Sequence, residues 1–258
     1  MSAKIHPTAV VDKSAEFGAD VEIGPGCVIG PDVKLGDRTR LIAHVFIESH
    51  TTIGPDNTVF PFAGLGGTPQ DLSYKGEPTR LEIGKNNVIR EHATLHRGTA
   101  RGAAVTVIGD NCLIMGNCHV AHDCIVGNHV IMAQTATIGG HVKVGDHAFL
   151  GGLSGVHQHG RVGRHAFVGA SALMTTDLIP FGSAIGNHAH LGGLNLEYQS
   201  KRGSGRLGAV RATRLKPGAG DAFKRAAVAA GQREGQFKPA VLHYRRELKW
   251  PVEQHVDE

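Results

Sequence analysis

The stretch IGDNCLIMGNCHVAHDCIVGNHVIMAQTATIGGHVKVGDHAFL, residues 108–150, carries an apolar residue at every sixth position: Ile108, Ile114, Val120, Val126, Met132, Ile138, Val144 and Leu150. Two positions before nearly all of these stands a second small or apolar side chain: Cys112, Cys118, Cys124, Val130, Ala136, Val142 and Ala148. Residues two apart on a strand share a face, so each hexad sends two side chains inward. Glycine often follows the apolar residue, as at Gly109, Gly127 and Gly145, and is expected to make the turn. A repeat of six predicts a parallel β-helix with three hexads to a coil. Residues 18 apart then stack about 4.8 Å from one another, as neighbouring strands do.

The same period extends outward in both directions. Towards the N-terminus it runs from Val11 to Leu65 and through Ile83, Ile89 and Leu95, and beyond Leu150 it continues to Met174. Two stretches interrupt it: GGTPQDLSYKGEPTR at 66–80, read as an external loop, and HRGTARGAAVTV at 96–107. A long ordered loop in a compact domain is more often functional than not. Past about residue 190 the period stops, and RLGAVRATRL, DAFKRAAVAA and PAVLHYRRELKW have the pattern of short amphipathic helices. The expected organisation is a β-helix over 1–190 and a small helical domain over 191–258.

Composition agrees with a coil of tight turns: 36 glycines against 5% aromatic residues. The N-terminus has no signal-peptide pattern and no apolar run approaches a membrane span, so a cytoplasmic chain without a membrane span is expected, its four cysteines reduced. Residues 201–249 hold 13 Lys and Arg against Asp221, Glu234 and Glu247, which suits an acidic partner; a solvated helix surface is the plainer alternative.

Within the repeat, Cys112, Cys118 and Cys124 fall in the inward slot filled elsewhere by Ala, Val and Thr, so they read as core rather than as metal ligands, and no metal site is expected. Stacking at 18 residues puts His122 over Gly140 and Gln158, Asp123 over His141 and His159, and Ala121 over Gly139 and His157. This is one polar edge flanked by glycines. A second column, His129, His147 and His165, lacks an acid and a glycine cluster and reads as surface or subunit contact. A histidine beside a carboxylate is the usual general base near neutral pH. No serine or cysteine is placed as a covalent nucleophile, so direct transfer to an acceptor hydroxyl or amine is the simplest scheme. Spacing alone leaves His122 and His141 as equal candidates for the base.

Taken together, QDLSYKGEPTR at 70–80, IREHATLHRGT at 89–99, NCHVAHDCIVGN at 117–128, GGHVKVGD at 139–146, GVHQHG at 155–160 and IGNHAHLGGLNLE at 185–197 resemble the UDP-N-acetylglucosamine O-acyltransferases that begin lipid A synthesis. The resemblance implies a homotrimer of left-handed parallel β-helices with active sites between subunits. His122 would be the base that deprotonates the sugar 3-hydroxyl, Asp123 its orienting acid, and the Gly140 N–H an oxyanion donor. The acyl chain would arrive on acyl carrier protein, with no cofactor and no nucleic-acid partner. Asp71, Ser73, His96, His119, His141, His157, Gln158, Asn195, Glu197, Lys201 and Arg202 match cleft positions. Arg206, Arg211, Arg214 and Lys216 would form the patch for the acidic carrier, and Ala170 the end of the acyl pocket. Ser73 stands where the family usually has a lysine, and Lys201 where an arginine is expected, which removes a bidentate fork. Two other readings accompany this one: an N-acyltransferase acting on a 3-amino UDP-sugar, and a zinc-dependent β-helical lyase suggested by the 17 histidines.

Overall fold

The computed structural model describes residues 3–195. Those residues form short strands, most of them two residues long, collected into three parallel sheets of 11, nine and eight strands. Successive strands pass to the next sheet in turn, and each pairs with the strand one coil away: Lys4↔Glu22 in the first sheet, Val10↔Val28 in the second, Glu16↔Lys34 in the third. The result is a left-handed parallel β-helix of triangular section. The last two strands depart from the winding: Gly182–Ile185 stacks in parallel on Phe167–Val168, and His190–Leu194 returns antiparallel along it. Among the described residues there is no helix, and none long and apolar enough to cross a membrane. The helical segments expected after residue 195 lie outside the described residues.

The hexad residues fill the interior as the period requires. Ile29, Leu41, Ile47, Ile53, Leu95, Ile114, Met132 and Ile138 are at most 1% exposed. Truncating one such side chain to alanine costs about 2–5 kcal/mol, because the closed triangle has little room to collapse into the cavity. Up to Met174 the coil length is 18 residues except at two places, and the last coil closes at 16, with Val162 on Leu178 and Phe167 on Ser183. Asn87 lies 30 residues from its stacking partner Asn57, and Cys112 lies 25 from Asn87. The extra residues leave the coil between Gly64–Gly67 and Arg80–Ile83, and between Thr94–His96 and Val105–Ile108. Both excursions leave the same corner, where the second sheet turns into the third.

The corners correct one expectation. The glycines after the apolar residues do not make the turn; the left-handed backbone is taken two positions after them, by residues such as Asp20, Asp32, Asp56 and Asn86. Those glycines are needed for a different reason: a Cβ on Gly24 would collide with the carbonyl oxygen of Ile42, one coil away. Aspartate, asparagine and histidine tolerate the left-handed region better than most side chains. Nine histidines adopt it here, His44, His50, His92, His129, His141, His147, His159, His165 and His188, so the abundance of histidine is largely a property of corners.

Candidate active site

The corner that carries both excursions also carries His122 and Asp123, which lie between His119–Val120 of the second sheet and Ile125–Val126 of the third. Their side chains are buried, with residue exposures of 7% and 5%. His122 Nδ1 lies 2.9 Å from Asp123 Oδ2. A carboxylate only accepts, so Nδ1 carries the proton in this bond, and in the neutral ring Nε2 is then the nitrogen with the lone pair. That free nitrogen faces Gly140, where an added Cβ would stand 2.7 Å from Nε2 and 2.5 Å from Cε1. Glycine at 140 is therefore a requirement of close approach, since any side chain there would overlap the imidazole.

Asp123 is held by the shorter excursion. The Thr99 N–H reaches both carboxylate oxygens at 3.0 and 3.1 Å, the Thr99 hydroxyl donates to Oδ2 at 2.7 Å, and the Ala103 N–H donates to Oδ1 at 3.1 Å. The Asp123 N–H donates to Thr106 Oγ1 at 2.8 Å. Gly102 lies so close to the carboxylate that a Cβ there would overlap it. Thr99, Ala103 and Thr106 were not among the residues singled out in the sequence. The signal for them was the seven extra residues of a 25-residue coil, legible only once the coil that follows is aligned.

Around this pair stand other histidines. His141 meets the His122 ring edge to face at 5.2 Å, places Nε2 3.8 Å from Asp123 Oδ2, and stacks on His159 at 4.6 Å. His119 Nδ1 pairs with Thr94 Oγ1 at 2.8 Å, and its ring meets His96 edge to face at 5.0 Å. Burial pushes His96 down to about 4, helped by the neighbouring His119 and His122, and burial with His122 lowers His119. Burial also lowers His141, against the pull of Asp123. Burial thus biases His96, His119 and His141 towards the neutral form.

Asp71 of the longer excursion accepts the Ser73 N–H at 2.7 Å. Its carboxyl is held below the usual range by the Ser73 side chain and backbone, with smaller contributions from His122 and Arg101. Two residues that the sequence reading passed over tie the ends of this loop. Glu48 Oε2 accepts the Thr68 N–H at 3.3 Å, and the buried Arg97 sits 3.5 Å from both Glu48 Oε1 and the Thr79 carbonyl oxygen.

Not every candidate gathers here. His157 and Gln158 are exposed at the same corner, one coil beyond Gly139 and Gly140, and Ala170 is exposed at another corner. Asn195 donates its side-chain N–H to the His165 carbonyl at 3.0 Å, beside the other histidine column. In that column the rings of His129, His147, His165 and Phe181 stack at 4.6, 4.6 and 4.9 Å. Glu197, Lys201, Arg202, Arg206, Arg211, Arg214 and Lys216 lie outside the described residues.

His122, Asp123 and His141 also bring three possible ligand atoms within 4.8 Å of one another. The carboxylate of this group is already engaged. A carboxylate offers about four lone-pair sites. Thr99 N–H, Thr99 hydroxyl, Ala103 N–H and His122 Nδ1–H occupy those of Asp123. The four cysteines are free and buried, as their core reading requires.

Residues 106–140 match the bacterial transferase hexapeptide (six repeats) family. The acyl-[acyl-carrier-protein]–UDP-N-acetylglucosamine O-acyltransferase of Caulobacter vibrioides is 56% identical over 210 residues, 81% of this chain and 80% of that one. Among solved structures, LpxA from Acinetobacter baumannii is 47% identical with a TM-score of 0.77, covering 78% of each chain. UDP-N-acetylglucosamine O-acyltransferase (LpxA) from Moraxella catarrhalis is 42% identical, also with a TM-score of 0.77, covering 78% of this chain and 79% of that one. Identity of 56% to that O-acyltransferase over four-fifths of both chains, with the coil shared with the two solved structures, establishes that this protein belongs to the UDP-N-acetylglucosamine O-acyltransferase family.

Proposed function

We propose that this acyltransferase moves an acyl chain, a 3-hydroxyacyl chain in the form we favour, from acyl carrier protein to the 3-hydroxyl of UDP-N-acetylglucosamine. His122 acts as general base. The observation that carries the reading is the His122 Nδ1 to Asp123 Oδ2 bond at 2.9 Å, which leaves Nε2 free on the side opened by Gly140.

The chemistry follows from that orientation. Nε2 takes the proton of the sugar hydroxyl as its oxygen attacks the thioester carbon. Asp123 stabilises the imidazolium that forms, and such a base contributes about 10²–10⁴ in rate. Negative charge gathers on the thioester oxygen, and the Gly140 N–H, which makes no hydrogen bond with the described residues, is free to receive it. The carbon–sulfur bond then breaks, and the imidazolium proton passes to the departing thiolate. The products are the sugar ester and the carrier's free thiol; no cofactor enters the balance.

Asp71, Ser73, His96, His119, His141, His157 and Gln158 line the acceptor cleft in this reading. A homotrimer belongs to it as well. Asn195 stands at the other histidine corner of its own chain, so a cleft shared between copies lets both corners line one site. Phe62 at 55% and Leu153 at 67% exposed are the kind of side chains such contacts cover. Glu197, Lys201 and Arg202 would complete the cleft, and Arg206, Arg211, Arg214 and Lys216 would meet the acidic carrier protein.

The test offers purified protein several acyl carrier protein thioesters with UDP-N-acetylglucosamine or its 3-amino analogue and identifies products by mass. An ester on the 3-hydroxyl is the expected product. Exclusive amide formation on the amino analogue would move the assignment to N-acylation, in keeping with Ser73 in the loop. No acylated sugar with any chain would sink the proposal.

A further inference from the structure

We infer that Cys124 is a positioning residue for the reaction: from inside the coil its thiol holds the Gly139–Gly140 peptide so that the Gly140 N–H points into the cleft. The inference rests on the reading of Gly140 as oxyanion donor given above.

Cys124 is fully buried, and its thiol donates to the Gly139 carbonyl oxygen at 3.1 Å. A trans peptide is planar, with C=O and N–H directed to opposite sides. Fixing the carbonyl towards the interior therefore fixes the next N–H outward, and the next residue is Gly140, against His122. A peptide joining two glycines has no side chain on either flank to restrain its rotation, so an internal donor has more to do here than elsewhere. The bond also polarises the amide, and hydrogen-bonded chains strengthen one another in this way.

The slot itself is general, which provides the controls. Thr39 donates to the Gly54 carbonyl at 2.8 Å, Cys112 to Gly127 at 3.2 Å and Cys118 to Ala133 at 3.1 Å, all with the same 15-residue offset as Cys124 to Gly139. Val130, Val142 and Ala136 occupy the slot with no donor and are as well buried. Ser154 occupies it with a buried hydroxyl that finds no partner, so threonine, and not serine, is the variant that keeps the donor. The burial of the thiol pushes Cys124 far up, so it stays protonated and is neither nucleophile nor acid.

The experiment compares Cys124→Thr with Cys124→Val in the full chain, with Cys118→Thr and Cys118→Val alongside. Two readouts are taken: kcat and KM with acyl carrier protein thioester and UDP-N-acetylglucosamine, and the amide proton shift of Gly140. Removing an oxyanion donor costs about 10²–10³ in kcat, and loosening one should cost about tenfold. We expect Cys124→Val to lose that factor in kcat with KM unchanged and to move the Gly140 amide upfield. Cys124→Thr should restore both, and the Cys118 pair should move neither. Equal kcat in the two Cys124 variants overturns the inference while leaving His122 untouched. A His122→Ala variant that keeps full activity overturns the base assignment instead. Should the parent acylate neither sugar, the Gly140 shift decides alone: identical shifts in the two Cys124 variants end the inference.

Discussion

Two corners of this β-helix stack histidine on histidine with the same spacing, and only one of them has a buried carboxylate beside it. His141 over His159 and His129 over His147 both lie 4.6 Å apart, and all four residues adopt left-handed backbone. What separates the columns is what surrounds them. The first has a carboxylate in the next coil, a glycine against the neighbouring imidazole, and two excursions folded over it. The second continues into Phe181, with Arg164 placed over that ring at 5.5 Å. A stacked histidine corner is thus a product of the repeat, and what sets the first one apart is the carboxylate and the two excursions beside it.

The largest expected effect comes from exchanging the roles of the two corners. His122→Ala should lower kcat by about 10³-fold or more, the loss of a positioned base, whereas His147→Ala should leave kcat at the parental level. Comparable losses in both would erase the distinction. Asp123→Asn keeps the shape of the pair but presents a donor where Nδ1–H must be accepted, and the wrong tautomer should cost about 10²-fold or more in kcat with little change in KM. Thr99→Val removes the 2.7 Å bond to Asp123 Oδ2, and we expect about a tenfold fall in kcat. The same variant should also lower Tm by several degrees, since a buried carboxylate then lacks one donor.

The smallest effect is one of pH. His96 is held to about 4 against an ordinary value near 6.5, so between those values the unfolded chain binds a proton that the folded chain does not. Stability must then fall as pH drops through that window and level off below it. His96→Gln should show a shallower decline in Tm from pH 6.5 to 4.5 than the parent does; equal slopes would mean that another group controls the acid side.

Much of this was legible in the spacing. The period of six identified the coil, its inward slots and the burial of Cys112, Cys118 and Cys124, and stacking at 18 residues put His122 against Gly140 and Asp123 against His141. The period failed where it was broken. Thr99 and Ala103 reach Asp123 across a coil of irregular length, and nothing in a regular template says where an excursion lands. Glu48 and Arg97 escaped notice for the same reason, since they meet only because the 30-residue coil begins and ends beside them. The glycines misled in another way. Their spacing was right, but they answer to the carbonyl of the next coil rather than to the turn, a distinction between two kinds of crowding that sequence does not display.

The two excursions share one further property: they leave the ladder of the first sheet unbroken. Thr58↔Val88 and Val88↔Leu113 pair in the same parallel register as any regular coil. The scaffold therefore treats that corner as a socket, into which segments of different length plug without disturbing the stack above or below. Under the proposed function, acceptor preference becomes an editable property: exchanging 68–79 for another segment that keeps the Glu48 and Arg97 clasp should retune which sugar is taken while the thermal stability of the coil stays where it is.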